Sequence, residues 1–366
     1  MEINMLSGDT IYIDRDSQII LIAHLKRRIQ TKIGVPLAHL VLYYMDQPIQ
    51  NHQMIPHNAI RFYLECMSYE VIPNENVLRQ LVKDIDKTTP YGPIKYWAFD
   101  SSITNINRLF MNQPGFNADI SGWDTHHITN MSQLFEGCVN FNQPIGGWDV
   151  GNVISFWQCF AWASRFNQSL AYWDTSQSIH MNSMFHGATD FNQDLPWDVG
   201  NVVNMSFMFY EASHFNGNIT LWKTQNVENC SSMFRRAKHF NQPICHWKTL
   251  NVKYFSNCFQ EASKFNQPLY WDLSSTLDLS YMFFKADSFN GNIIKWNVSK
   301  VNTAYCMFYK TPLFQQDLSC WLFPINCNTS YMFYKSIRMT NSLLPFKQKN
   351  KGRHRVVRNI PKIEIL

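Results

Sequence analysis

Residues 204–227, NMSFMFYEASHFNGNITLWKTQNV, decide how this chain is read. A Met-Phe pair (Met208-Phe209), a small residue (Ala212), Phe215-Asn216 and Trp222 follow one another at offsets that return along most of the sequence. Trp recurs at 97, 123, 148, 173, 197, 222, 247, 271, 296 and 321, always 24 to 26 residues apart, leaving Trp157 and Trp162 out of phase. Phe141-Asn142, Phe166-Asn167, Phe191-Asn192, Phe240-Asn241, Phe265-Asn266 and Phe289-Asn290 keep the same beat, as do Met184-Phe185, Met233-Phe234, Met282-Phe283, Met307-Phe308 and Met332-Phe333. A row of alanines (Ala163, Ala188, Ala212, Ala237, Ala262, Ala286) marks a small position. One aromatic-rich pattern copied about ten times explains why Phe, Trp and Tyr make up 15% of the chain and why Phe alone occurs 27 times.

A unit of this length cannot bury so many large side chains by itself, so the repeats are expected to stack as a solenoid. Ile219-x-x-Trp222-x-Thr224-x-Asn226 has a leucine-rich-repeat spacing with Trp in place of one Leu, which predicts one short parallel strand per repeat. Residues 227–240 place apolar residues three and four apart and predict helical turns on the convex side. The Asn after each Phe is expected to form a ladder that satisfies backbone groups in a buried turn. The fold class expected is therefore α/β: a leucine-rich-repeat-like solenoid of about ten 25-residue repeats, preceded by a smaller domain.

Over about 91–337 the sequence resembles the BspA-like leucine-rich repeat surface proteins, whose unit is also called the DUF285 or mycoplasma lipoprotein repeat. Residues 204–227 carry that family's M-x-x-M-F-x-x-A-x-x-F-N-x-x-I-x-x-W-x-x-x-x-V string complete. Surface members carry a signal or lipid anchor. Residues 1–5 show no basic region leading into an apolar stretch, and no 18 apolar residues run together, so no membrane association and an intracellular setting are expected, as for relatives in large DNA viruses of amoebae.

Residues 1–68 differ in composition and lack Trp. A hairpin is expected from residues 1–5 and 10–14, a helix from the face Ile22, Leu25 and Ile29 with Gly34 before Val35-Pro36 as its stop, and strands over 40–45 and 60–64. LKRRIQTKIGVP followed by LVLYYMDQPIQ is similar to ubiquitin and its β-grasp relatives. There is no Gly-Gly at its end, Gln47 stands at a chain-linking lysine position, and the apolar patch is rewritten as Tyr43, Arg61 and Tyr63. The resemblance implies docking of those three residues onto a ubiquitin-binding protein or proteasome component, without conjugation. Residues 69–92, with Asn74 as helix cap before Val77, Leu78, Leu81, Val82 and Ile85, read as a linker that covers the first repeat. Repeats then fill 93–340, and 341–366 form a basic tail.

That tail decides the charge. Residues 346–366 hold seven Lys or Arg against Glu364, a net of +6, so from a total of +5 the remainder carries −1. A nucleic-acid partner is thus expected only through the tail, if at all. The nine cysteines include no C-x-x-C pair and mostly replace Ala or Met of sibling repeats, which reads as buried reduced thiols.

No convergent set of unrepeated polar groups suggests catalysis, and neither a cofactor nor a metal is expected. His126-His127 should point apart as neighbours on a turn. His214 and His239 should sit side by side in a solvated row. The Asp after Trp (Asp124, Asp149, Asp174, Asp198, Asp272) should accept bonds from its own turn. Partner contacts are sought where the frame varies: Tyr172, Leu221, Lys223, His246, Lys248 and Tyr270, beside the tryptophans, form the candidate surface for a protein target. The leading expectation is a non-enzymatic interaction scaffold, an adaptor between such a target and the ubiquitin system. A purely structural or adhesive repeat protein is one alternative; a ubiquitin-transfer enzyme, with Cys66 as nucleophile, is another.

Overall fold

The computed structural model describes residues 2–5, 10–12, 22–36, 39–44, 47–51, 53, 61–66, 69–85, 89–349 and 352–355. A small N-terminal sheet and a long stack of repeats share this chain. Strands β1 (Glu2–Met5), β2 (Thr10–Tyr12), β3 (Leu40–Tyr44), β4 (Gln47–Pro48) and β5 (Arg61–Cys66) form one sheet in the order β2-β1-β5-β3-β4. β1 runs parallel to β5 (Ile3 opposite Phe62), and the other pairs are antiparallel. Helix α1 (Ile22–Ile33) lays Ile22, Leu25 and Ile29 on Ile3, Leu40, Leu42 and Leu64, all buried, and ends at Gly34, whose φ of +71° suits glycine.

The repeats begin where β6 (Val71–Ile72) pairs in parallel with β7 (Ala98–Phe99). Asn74 accepts the Val77 amide at the start of α2 (Glu75–Leu81); Leu78 and Val82 are buried in the repeat core, with Val77, Leu81 and Ile85 packed against it. This short helix closes the first repeat, whose apolar face has no preceding copy to cover it. At the far end, β9 (Phe346–Lys349) lies parallel to β8 (Leu322–Phe323) and antiparallel to β10 (Gly352–Arg355). Part of the basic segment is therefore a hairpin on the last repeat. Residues 356–366, which the sequence offers as a further cover, lie outside the described residues.

Between the ends, the local structure departs from the sequence-based expectation. No strand forms over 219–226 and no helix over 227–240. Successive repeats touch through single parallel bridges, Asn105 to Asn130, then Ser155, His180, Asn204, Asn229, Tyr254, Asp278, Thr303 and Asn328. The segment after each bridge is a run of turns. Met205, Phe207, Phe209 and Glu211 donate to the carbonyls of Asn229, Ser231, Met233 and Arg235 in the next repeat at 2.8–2.9 Å. Met208, Tyr210 and Ala212 instead close back onto Met205, Phe207 and Phe209.

A helix would direct every amide along its own axis; alternation sends every second one to the neighbouring repeat, so the buried backbone is satisfied by stacking. The alternation needs a left-handed residue at every fourth position of this segment, and Phe207 and Glu211 both have φ +59°. Equivalent residues do the same in every repeat. Most are not glycine, at a cost of roughly 1 kcal/mol each that the stack must offset. The three-and-four apolar spacing was real, but turns satisfy it as well as a helix does.

The side chains stack with the same period. Phe110, Phe135, Phe160, Phe185, Phe209, Phe234, Phe259, Phe283, Phe308 and Phe333 form a continuous column with ring centroids 5.5–5.8 Å apart. The Phe of each Phe-Asn pair forms a second column at 5.7–6.0 Å. One buried core runs without a break from Ile72 to Leu344. Among the described residues no helix is long and apolar enough to cross a membrane.

Candidate interaction surface

A surface that recognises a partner must be built from groups that the frame does not already use, and the structure shows how many it uses. Each Asn after Phe accepts, through Oδ1, the backbone amide of the next Asn: Asn142 from Asn167, Asn167 from Asn192, Asn192 from Asn216, and onward to Asn290 and Gln315, at 2.7–3.0 Å. Each Trp is more than a large apolar side chain. The indole Nε1 of Trp222 donates to the Leu195 carbonyl and that of Trp247 to Ile219, and the in-phase tryptophans from Trp123 to Trp321 all donate in this way to a carbonyl 27–29 residues earlier. Asp149, Asp174, Asp198 and Asp272 accept the amide two residues on. His214 and His239 stack at 5.4 Å with their Nδ1 atoms on backbone carbonyls.

The cysteines belong to the frame as well. All nine are free; Cys138, Cys159, Cys230, Cys258, Cys306 and Cys327 are buried, and burial pushes the Cys138 and Cys230 thiols up to about 12. Such thiols are poor nucleophiles at neutral pH. Cys66 is half-buried and packs beside the core of the N-terminal sheet.

The six residues chosen from sequence, Tyr172, Leu221, Lys223, His246, Lys248 and Tyr270, are all exposed, Leu221 at 81% and Tyr270 at 62%. They line the ridge over the buried tryptophan column, and Lys223 reaches Asp198 of the preceding repeat at 3.2 Å. Tyr270 shares a shallow cleft with Asp272, Lys295 and Asn297.

A second surface escaped the sequence reading. Residues that follow each Met-Phe or equivalent pair stand in line outside the phenylalanine column. In the middle repeats Trp162 packs on His186 and His186 on Tyr210, each at 4.6 Å with the rings tilted by 47° and 35°, and the Arg235 guanidinium lies 5.2 Å from the Tyr210 ring. Next to them Arg236 bridges Glu211 at 2.6 Å and Glu261 at 3.1 Å. In the last three repeats Phe284, Tyr309 and Tyr334 stack at 4.9 and 4.8 Å, each with a lysine ammonium (Lys285, Lys310, Lys335) 5.3–5.7 Å from its ring centre. The available signal was the tripled motif Met-Phe-(Phe/Tyr)-Lys at 282–285, 307–310 and 332–335. A helical reading of that segment leaves the direction of its side chains undetermined; the turns turn them outward.

The N-terminal domain does not stand free. Arg27 pairs with Asp149 at 2.9 Å, Gln30 Nε2 donates to Asp124 at 3.0 Å, and Asn51 Nδ2 donates to the Ser121 carbonyl at 2.7 Å. Tyr43, expected on an open patch, is half-buried and lines the cleft between sheet and repeats with Lys26, Lys95, Asp119 and Ser121. The side chains of Arg61 and Tyr63 lie outside the described residues.

Lys26 in that cleft is buried, and burial lowers its pKa to about 8 against the attraction of Asp119. A lysine depressed in the folded state costs stability in full below about pH 8 and ceases to cost it above about pH 10.5, where it is neutral in both states. Docking therefore tightens as pH rises through that window. Lys26→Met is expected to raise stability at pH 7 by about 1–3 kcal/mol and to flatten this alkaline rise. Thermal melting of both proteins at pH 7 and pH 9.5 checks it; a destabilised Lys26→Met would mean that the Asp119 attraction outweighs burial.

His126 and His127 do not point apart as expected, because their rings cross at 4.9 Å and 78°. With Asp124 they bring three possible ligand atoms within 4.8 Å of one another. His126 Nδ1 is already bonded to Asp124 Oδ1 at 2.8 Å and Gln30 holds the other oxygen. The Asp124 bond holds His126 above its ordinary pKa, while the positive charge of Arg27 works against it. That charge also opposes a bound cation.

Comparison with known families adds one finding. The model of a family described as "Mycoplasma protein of unknown function, DUF285" matches residues 77–196, 195–276 and 249–346. No curated protein matches the chain.

Proposed function

Because the chain belongs to the DUF285 family of repeat-containing proteins of unknown function, we propose that it is a non-enzymatic scaffold whose repeat solenoid holds a partner protein. The observation that carries this reading is the division of labour in the repeat: the recurring groups are consumed by stacking, whereas the exposed columns change from copy to copy. Exposed aromatic side chains such as Tyr172 and Tyr270, held on a repeated frame, are the type enriched in recognition surfaces, and the reading needs no cofactor.

The sheet order β2-β1-β5-β3-β4 with α1 across it supports a ubiquitin-like first domain. Its place against the repeats, with Tyr43 in the cleft, favours a second reading of that domain: it acts as a cap on the first repeats rather than as a recruiter of the ubiquitin system.

The test is affinity capture from cell extract on the full chain, wild type beside the Tyr172→Ala/Leu221→Ala/Tyr270→Ala variant and a variant of the second surface. A protein retained by wild type and lost from either variant is the expected outcome. Nothing specific retained by wild type would sink the scaffold. Ubiquitin receptors or proteasome proteins in the capture would restore the adaptor, and their absence leaves the cap.

A further inference from the structure

The last three repeats carry a surface whose charge is not balanced. Lys285, Lys310 and Lys335 occupy one position in successive repeats, and among the described residues none of them makes an ion pair. The contrast lies a few repeats earlier in the same column, where Arg236 is bonded by Glu211 and Glu261 on either side. Glu261, next to Lys285 in this column, attracts it but is already bonded by Arg236, and neither Lys310 nor Lys335 makes an ion pair among the described residues. The three cations in register are thus left in excess and repel one another; the arrangement is relieved by an anion that spans them.

The rings decide which kind of anion. Phe284 and Tyr334 cover the two faces of Tyr309, with interplanar angles of 16° and 19°. A base therefore has no open face of Tyr309 on which to stack, and single-stranded nucleic acid bound here would forgo the affinity that stacking on an aromatic side chain contributes per base. What the column offers outward is ring edges, the positive side of the aromatic quadrupole, with lysine ammoniums beside them. Edges and ammoniums together suit carboxylates and the short apolar stems that carry them.

We infer that the Phe284/Tyr309/Tyr334 column and its lysines bind an acidic segment of a partner protein, laid along the stack over the last three repeats. An extended chain presents alternate carboxylates about 6.8 Å apart on one side, within the adjustment that flexible lysine stems allow. The inference rests on the scaffold reading and names the chemistry of the partner.

The probe is fluorescein-labelled poly-L-glutamate titrated by anisotropy against the full chain, with an oligo(dT) of similar length as the second ligand. Wild type should bind polyglutamate with an affinity that falls as salt rises. Lys285→Gln/Lys310→Gln/Lys335→Gln should weaken it about tenfold or more, and Lys310→Glu alone should weaken it measurably. Lys347→Gln/Lys349→Gln/Lys351→Gln should leave it within about twofold, because the effect belongs to the column and not to the basic tail. The substituted lysines are surface groups, and an unchanged melting temperature confirms that the variants fold.

Absence of polyglutamate binding, binding untouched by the three-lysine column variant, or column-dependent binding of oligo(dT) in its place each overturns the inference. Its failure differs from failure of the scaffold reading: a captured partner that the column variant retains in full removes this site alone, whereas an empty capture removes the scaffold.

Discussion

Phe209→Ala lowers the stability of the full chain by about 3–5 kcal/mol, the range for emptying a fully buried phenylalanine site. Phe209 is completely buried, and its ring meets Phe215 at 3.8 Å within its own repeat. It also meets Phe185 at 5.6 Å and Phe234 at 5.7 Å in the two neighbours. Removal leaves a void with a wall in three successive repeats, so local collapse cannot fill it without shifting two interfaces. Guanidinium unfolding followed by tryptophan fluorescence reads the loss directly. Repeat stacks couple mainly to nearest neighbours, so amide exchange should quicken over 180–240 before it changes near either end. A loss below about 1 kcal/mol would mean that the ring column contributes little beyond its area.

Gly217→Ala is the second large effect, and it follows from a missing residue in the preceding repeat. Phe191 and Trp197 are six residues apart, as are Phe265 and Trp271, where the other repeats have seven. The shortened connection is drawn toward the next repeat, where Leu195 donates to the Asn218 carbonyl and Leu269 to Asn292, each at 3.0 Å. A Cβ on Gly217 would lie 2.0 Å from the Gln193 carbonyl oxygen, and one on Gly291 would lie 2.1 Å from that of Gln267. Sibling repeats carry Gln at this position (Gln143, Gln168, Gln242), so glycine is demanded by the shortening and not by the repeat.

Gly217→Ala is expected to cost about 2–4 kcal/mol, because backbone must move. Gly115→Ala, where nothing lies within 4 Å of the added carbon, is expected to be neutral or mildly stabilising. One residue inserted between Gln193 and Leu195 should recover most of the Gly217→Ala loss. Equal melting temperatures for the two alanine variants, or failure of the insertion to rescue, would refute the link between shortening and glycine.

The sequence by itself determined the period, the identity of the buried set and the family. Trp222, Met208, Phe209, Ala212 and Phe215 recur because each must meet its own copy in the next repeat, and a demand renewed every 25 residues or so is legible in one dimension. The Asn ladder was legible for the same reason, since a polar residue fixed in every copy must serve the frame. The stop of α1 at Gly34 and the Asn74 cap of α2 followed from local capping and apolar spacing.

Tertiary structure alone decided how the chain travels between those fixed points. Apolar residues three and four apart fit a helix or a run of turns equally well. The choice falls to turns because alternate amides then bond to the neighbouring repeat, a gain that exists only once the neighbour is in place. The same choice sets which residues face outward, so the column of Phe284, Tyr309 and Tyr334 with its lysines, and the docking of Tyr43 against the repeats, became visible only in three dimensions.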